Sequence, residues 1–289
     1  MGWITEIFTT RELAIALWVV IIFAFCVFWK KTRKNVWDVI KSVFCKKFVH
    51  LYLFVIVYSA LIIYVLYLLK YWDWFLLKDS ILSMLFIALV SCFKIISNKD
   101  RTKFLKELII DAIKWTVIVQ FITSTYTFNF FVEFVVWFVL VFVGLISAVA
   151  ERDEKNKAVV KLCNALLAIY GLISIIFSLN QAIVDYQNFI TLDTLKSFLL
   201  PIIMSLLYLP FIYFFSMHCL YEEIFIRLKF VVRKDKKLLR HFKYKTRLNY
   251  CFRLKKLEGF RVSAMFTREL FSSKQDIDKF FNEMNTAEK

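Results

Sequence analysis

The chain has 289 residues, 60% of them apolar, against about 45–50% in a soluble globular protein. Only 21% are charged, yet the net charge is +16, and Phe contributes 33 residues while Gly and Pro contribute 4 and 2. A soluble domain of this size cannot hide so much apolar surface. The Phe, Ile, Leu and Val content also excludes collagen, low complexity and intrinsic disorder. The expected class is an all-α polytopic membrane protein.

A membrane helix needs about 20 apolar residues to cross roughly 30 Å of hydrocarbon. Seven stretches meet this, at about 13–29, 48–69, 81–96, 108–125, 130–150, 158–179 and 198–221. The runs are continuous rather than alternating, so helices are expected and not a barrel. The predicted organisation is a seven-helix transmembrane domain over 1–221 and a basic cytoplasmic helical tail over 222–289.

Positive charge follows the first span (Lys30, Lys31, Arg33, Lys34) instead of preceding it, and no small-x-small site closes it. It therefore reads as an anchor with the N-terminus outside, not as a cleaved signal. Next comes an expected interfacial helix, 34–47. Val36, Trp37, Ile40, Val43 and Phe44 share helical spacing there, with Lys34, Asp38 and Lys41 elsewhere around the wheel. Tyr71, Trp72 and Trp74 lie between spans two and three, at headgroup level. Span three is short, and Trp74–Leu77 can extend it.

Span four carries Thr116, Gln120, Thr123 and Thr127 at spacings of 4, 3 and 4, one face of a helix. This stripe reads either as a pore wall or as interhelical packing, with Thr hydroxyls bonding their own backbone. Asp111 and Lys114, three apart, read as an interfacial ion pair or a coupling-ion site. Glu133 in span five is an ion-site candidate, or a carboxylate that snorkels or stays protonated. Asn164, Gly171, Ser174 and Ser178 give span six a small, polar stripe on which span four can pack. Pro201 and Pro210, the only prolines, fall in span seven and mark a candidate hinge or a static kink. His218 and Glu222 lie just below them at i, i+4.

The tail concentrates charge. From Arg227 to Arg261 there are 14 basic residues against Asp235 and Glu258, a net of +12. Arg233, Lys234, Lys236, Lys237, Arg240, Lys243, Lys245, Arg247, Arg253, Lys255 and Lys256 are the candidate contacts. Aromatic and aliphatic residues are interleaved with them, among them Phe230, Phe242, Tyr244, Leu248, Tyr250, Phe252 and Phe260. Three partners fit: anionic inner-leaflet lipid, an acidic cytosolic protein, or nucleic acid through phosphate and base stacking. A final short helix is expected after Ser273, which forms a capping box with Asp276. Its stripe of Ile277, Phe280, Phe281 and Met284 needs a neighbour in this chain, in another subunit or in a partner.

With the N-terminus outside, the inner segments 30–47, 94–107, 151–161 and 221–289 hold 34 of 39 basic residues. The positive-inside rule then gives one orientation at every loop, N-terminus out and C-terminus cytoplasmic. All six cysteines fall on or near the inner face, as a reducing compartment permits. Lys, Asn, Phe and Ile enrichment and the lack of outer N-x-[ST] sequons suggest a bacterial inner membrane. There is no G-x-x-x-x-G-K-[ST], G-x-G-x-x-G, H-E-x-x-H or G-x-S-x-G pattern. No enzyme, cofactor or metal is expected. The leading expectation is a non-enzymatic membrane anchor or sensor-effector subunit whose tail engages the leaflet and a cytosolic protein, with homo-oligomers allowed. The alternatives are a channel or oligomeric pore lined by the span-four stripe, and a small-solute transporter using Glu133 or the Asp111–Lys114 pair.

Overall fold

The computed structural model describes residues 8–98, 100–114, 116–231, 236–251, 253–266 and 273–287. Among these, every regular element is helical. Six helices are long and apolar enough to cross a membrane, or seven if one bent pair forms a single span. The chain is a helical, multi-pass membrane protein.

Helix α1 (Thr10–Phe28) starts at a capping box: the Thr9 hydroxyl accepts the Glu12 N–H, and the Glu12 carboxylate accepts the Thr9 N–H. Trp29 is extended and ends it, and the amphipathic α2 (Lys30–Val43) follows. Helix α3 (Lys46–Leu68) closes on Lys70, the only non-glycine residue with positive φ (56°) among the described residues. This left-handed residue lets the Tyr71 and Trp72 amides bond back to the Leu66 carbonyl. Helix α4 covers Trp74–Ser97 and includes a π-helical stretch, Met84–Leu89.

The expectation of one continuous span over 108–125 is corrected. Helix α5 (Arg101–Ile113) ends before Lys114, and α6 (Thr116–Thr125) begins beyond it. Asp111 and Lys114 stand at this break and both are exposed. An unbroken span would carry both charges through its interior, which is costly. Helices α7 (Phe130–Ala150) and α8 (Lys157–Val184) are uninterrupted, and the one-turn α9 (Tyr186–Phe189) precedes α10 (Leu192–Val231). At about 1.5 Å per residue α10 is roughly 60 Å long, about twice the hydrocarbon thickness. Helices α11 (Lys236–Tyr250), α12 (Leu254–Phe266) and α13 (Lys274–Ala287) complete the chain.

Pro201 and Pro210 lie inside α10, whose helical assignment continues through both. Every fourth residue from Leu200 to Leu228 is buried. A spacing of four overshoots a helical turn by about 40°, so this buried line winds about 280° around the helix. The two prolines lie off it.

The chain divides into two compact units, 1–81 with 113–202, and 82–112 with 203–289. Helix α10 runs unbroken through Tyr221, where the sequence suggests the tail begins. The crossings fall just ahead of the π-helical stretch, at the end of α5 and beside Pro201.

In the first unit α1 packs on α7, α7 on α8, and α8 on α6. The Trp18 indole N–H donates to the Phe134 carbonyl at 2.8 Å, and its ring stacks on Phe134 and Phe138. Phe128 stacks on Phe177 with centroids 4.3 Å apart.

In the second unit the basic tail folds on itself. Leu238, Phe242, Thr246 and Tyr250 form the buried face of α11. Leu254, Leu257 and Phe260 of α12 and Ile277 and Phe281 of α13 are buried as well. Phe281 touches Phe242, Tyr250 and Phe260, with centroids 5.0, 6.4 and 5.6 Å away. The reciprocal Ser273–Asp276 cap starts α13. The short helix thus finds its neighbour in its own chain. Of the residues expected at the lipid surface, Phe242, Tyr250 and Phe260 instead build this core, while Tyr244 and Leu248 stay exposed. Phe252 lies outside the described residues, as does the side chain of Phe230.

Replacing Phe281 by Ala removes a ring that joins all three tail helices, which costs about 3–5 kcal/mol. The expected result is rapid protease cleavage within 262–289 at temperatures where the parent protein resists, with the spans still inserted.

Candidate functional site

Two arrangements carry the chemistry: a buried charge centre in the first unit and a cationic surface on the second.

The charge centre is built from the N-terminal turns of α1 and α7, the C-terminal turn of α6 and the middle of α8. Asn129 caps α7 by accepting the Phe131 N–H, which places Glu133 in the first turn, where the helix dipole favours a carboxylate. The Glu133 side chain has no exposed surface. Arg11 Nε donates to both of its oxygens at 3.2 Å, and Nη2 donates to Oε1 at 3.1 Å. The Phe128 amide adds a bond to Oε1 at 3.0 Å. The rest of the guanidinium is engaged too: Nη1 donates to the Thr123 carbonyl at 2.9 Å, and Nη2 to the Ser174 hydroxyl at 3.2 Å. Glu133 therefore has a complete set of donors from its own chain.

Other charges of this unit are paired in the same way. Lys78 meets Glu12 at 3.2 Å, and Lys196 meets Asp73 at 2.6 Å. The Tyr71 hydroxyl donates to the Lys196 carbonyl, and burial raises its pKa. Tyr126 donates to Asp185 at 3.2 Å, and burial, then that bond, push its pKa up.

Thr116, Gln120 and Thr123 of the span-four stripe lie on α6. Thr116 and Gln120 are exposed. The Thr123 hydroxyl bonds back to the Val119 and Gln120 carbonyls. Thr127 lies beyond the end of α6 and bonds the Thr10 hydroxyl at 2.8 Å. A cleft of about 420 Å³ does lie against α6, lined by Ile118, Phe121, Ile122 and Phe198 rather than by the stripe. In span six, Ser174 and Ser178 are buried, and Ser178 donates to the Tyr126 carbonyl, which ties α8 to the end of α6. Asp111 lies in the last turn of α5, and Lys114 follows the end of that helix.

In the second unit several acids are held by partners within the unit. Arg101 is 1% exposed; it donates to Glu223 at 2.7 Å and to the Ile95 carbonyl at 3.1 Å. Arg261 reaches the other Glu223 oxygen at 3.4 Å. Glu258 accepts the Arg101 and Thr102 amides and the Thr102 hydroxyl, so a carboxylate from α12 caps α5. Asp278 accepts from His241 and Lys245, both at 3.1 Å, and those bonds hold its pKa below the ordinary carboxylate value.

The cations face outward. Lys236, Lys237, Arg240, Arg247, Arg253, Lys255 and Lys256 are exposed. Lys243 and Lys245 are half-buried; Lys243 and Arg247 sit over the Phe225 ring at 4.9 and 5.5 Å. On α11 the residues Arg240, Tyr244, Arg247 and Leu248 share the side opposite the buried face, and exposed Cys251 follows the helix end. Arg233 and Lys234 lie outside the described residues, as does the side chain of Met284. Ile277 and Phe281 are internal, and Phe280 lies 6.2 Å from both Phe242 and Phe260.

Among the described residues no group of three His, Cys, Asp or Glu could hold a metal. All six cysteines are unpaired thiols. Sequence reasoning missed Arg11, Arg101, Glu223, Glu258 and the His241–Asp278 contact. Arg11 had one available signal, as one of 5 basic residues outside the inner segments. No protein-family model, curated protein or solved structure matches the chain.

Removing one partner of a buried ion pair costs about 3–5 kcal/mol, while an apolar pair of similar volume is near neutral. Arg11→Met alone should therefore strongly lower the unfolding midpoint in bicelles, and Arg11→Met with Glu133→Leu should recover most of the loss. Additive losses would show that the two residues are not coupled.

Because the Asp278 value is depressed by folding, its contribution is present above the ordinary carboxylate range and fades as pH falls through it. Protease protection of α13 should decline between about pH 5 and 3, and Asp278→Asn should flatten that dependence.

Proposed function

We propose that this protein is a non-enzymatic membrane anchor or sensor-effector subunit of a bacterial inner membrane. Its N-terminus is outside, and its folded basic unit faces the cytoplasm, engaging anionic headgroups and an acidic cytosolic protein. The observation that carries this reading is the sorting of charge in the second unit. Glu223, Glu258 and Asp278 are held by internal partners, while Lys236, Arg240, Arg253 and Lys255 are exposed. The positive-inside distribution of basic residues supports the orientation.

The α11 surface has the composition of an interfacial face, with cations beside an aromatic and an aliphatic residue. Tyr244 and Leu248 are 62% and 60% exposed beside these cations, so they are available to headgroups or a protein. Each basic residue near an anionic surface contributes about 1 kcal/mol. Three or four acting together therefore suffice to hold this side of the unit against a leaflet.

Truncating the tail is a poor test, because α12 and α13 supply the core of the unit and the cap of α5. Charge reversal on the surface is the cleaner one. With the full-length protein in vesicles and an environment-sensitive dye on Cys251, anionic lipid should blue-shift the emission relative to neutral lipid. Arg240→Glu with Arg253→Glu and Lys255→Glu should abolish that shift and leave the fold intact. An emission indifferent to lipid charge in the parent protein would overturn the headgroup part of the reading.

A further inference from the structure

A second cationic feature lies in the first unit, on other elements and independent of the tail. Trp29, extended at φ −75° and ψ 115°, turns the chain between α1 and α2. The Thr32 hydroxyl fixes this corner by donating to the Cys26 carbonyl at 2.7 Å. Between α1 and α2 lies a cleft of about 570 Å³. That volume falls inside the roughly 300–1,000 Å³ typical of ligand sites.

The lining is chemically divided. Phe23 and Val27 of α1 and Val36 and Ile40 of α2 give it an apolar wall. Lys30, Arg33 and Lys34 bring three cations to the same cleft, and no acid lines it. Lys30, Arg33, Lys34 and Trp37 follow at i, i+3, i+4 and i+7, one face of α2. Asp38, the one acid between 30 and 47, is absent from the lining. A wholly soluble anion would leave the apolar wall uncovered, and a neutral apolar ligand would leave three cations without a partner.

We propose that this cleft is a discrete binding site for one anionic phospholipid. Its phosphate is held by Lys30, Arg33 and Lys34, and an acyl chain lies along Phe23, Val27, Val36 and Ile40. Trp37, 59% exposed beside the cations, sits where an indole ring favours the level of the headgroups. Guanidinium and ammonium groups suit a phosphate monoanion, and the first span delivers the apolar wall at the depth of the chains. The site thereby fixes the angle between the first span and the interfacial helix.

The test is native mass spectrometry of the full-length protein in detergent, titrated with phosphatidylglycerol, phosphatidylcholine of the same chains, or glycerol phosphate. One phosphatidylglycerol should be retained, preferred over phosphatidylcholine by about tenfold or more, with glycerol phosphate not retained. Lys30→Ala with Arg33→Ala and Lys34→Ala should remove the preference. Phe23→Ala should weaken retention with every cation in place, which separates loss of a ligand contact from loss of charge. Arg240→Glu with Arg253→Glu should leave the preference intact, so failure here is distinguishable from failure of the tail reading. Equal retention of both lipids, retained preference in the triple variant, or comparable binding of glycerol phosphate would overturn the proposal.

Discussion

A carboxylate with no exposed surface, set in the first turn of a membrane helix, must be matched by a cation and several donors. The first unit is organised around that requirement. Glu133 takes Arg11 from α1, which also binds the last turn of α6 through the Thr123 carbonyl and α8 through Ser174. Four helices far apart in sequence are fixed in register by one guanidinium. Apolar side chains cannot do this in lipid, because lipid tails satisfy them as well as another helix does. A fork of directed hydrogen bonds has one geometry, and the arrangement of α1, α6, α7 and α8 follows from it.

The second unit solves a related problem at the ends of its helices. The four initial amides of a helix lack intrahelical partners. On α5 the first two, those of Arg101 and Thr102, meet Glu258 from α12, which stands 157 residues from Arg101 in the chain, and the third, of Lys103, meets Asp100. Glu223 holds Arg101 and Arg261 together. The aromatic cluster around Phe281 then closes the tail helices over one another. Such a cluster is non-directional and tolerates rearrangement, whereas the two carboxylates specify which helix meets which.

Composition and hydropathy made the class and most of the spans legible, because burial in lipid needs only length and apolarity. Ser174 and Ser178 of the span-six stripe are buried, and they bond the Arg11 guanidinium and the Tyr126 carbonyl. The break at Lys114 was not legible from hydropathy, since a window average passes over two charges among many apolar neighbours. Nor was the role of Arg11, because pairing across 122 residues leaves no periodic trace. The tail misled for a different reason. Interleaved basic and aromatic residues describe a helix lying on a membrane and a helix in a small bundle equally well. What separates the two is which apolar positions meet partners, and Phe242, Tyr250 and Phe260 meet each other and Phe281.

The net charge of +16 is sharpened by how the acids are used. An acid that caps a helix keeps its negative charge and places it on backbone amides rather than on a lysine. In the second unit Glu258 and Asp100 serve the start of α5, and Asp276 serves the start of α13. These carboxylates complement helix dipoles. Folding the tail does not neutralise its surface. It takes the large rings inward, and leaves Arg240 and Arg253 outside with Tyr244 and Leu248 between them in sequence.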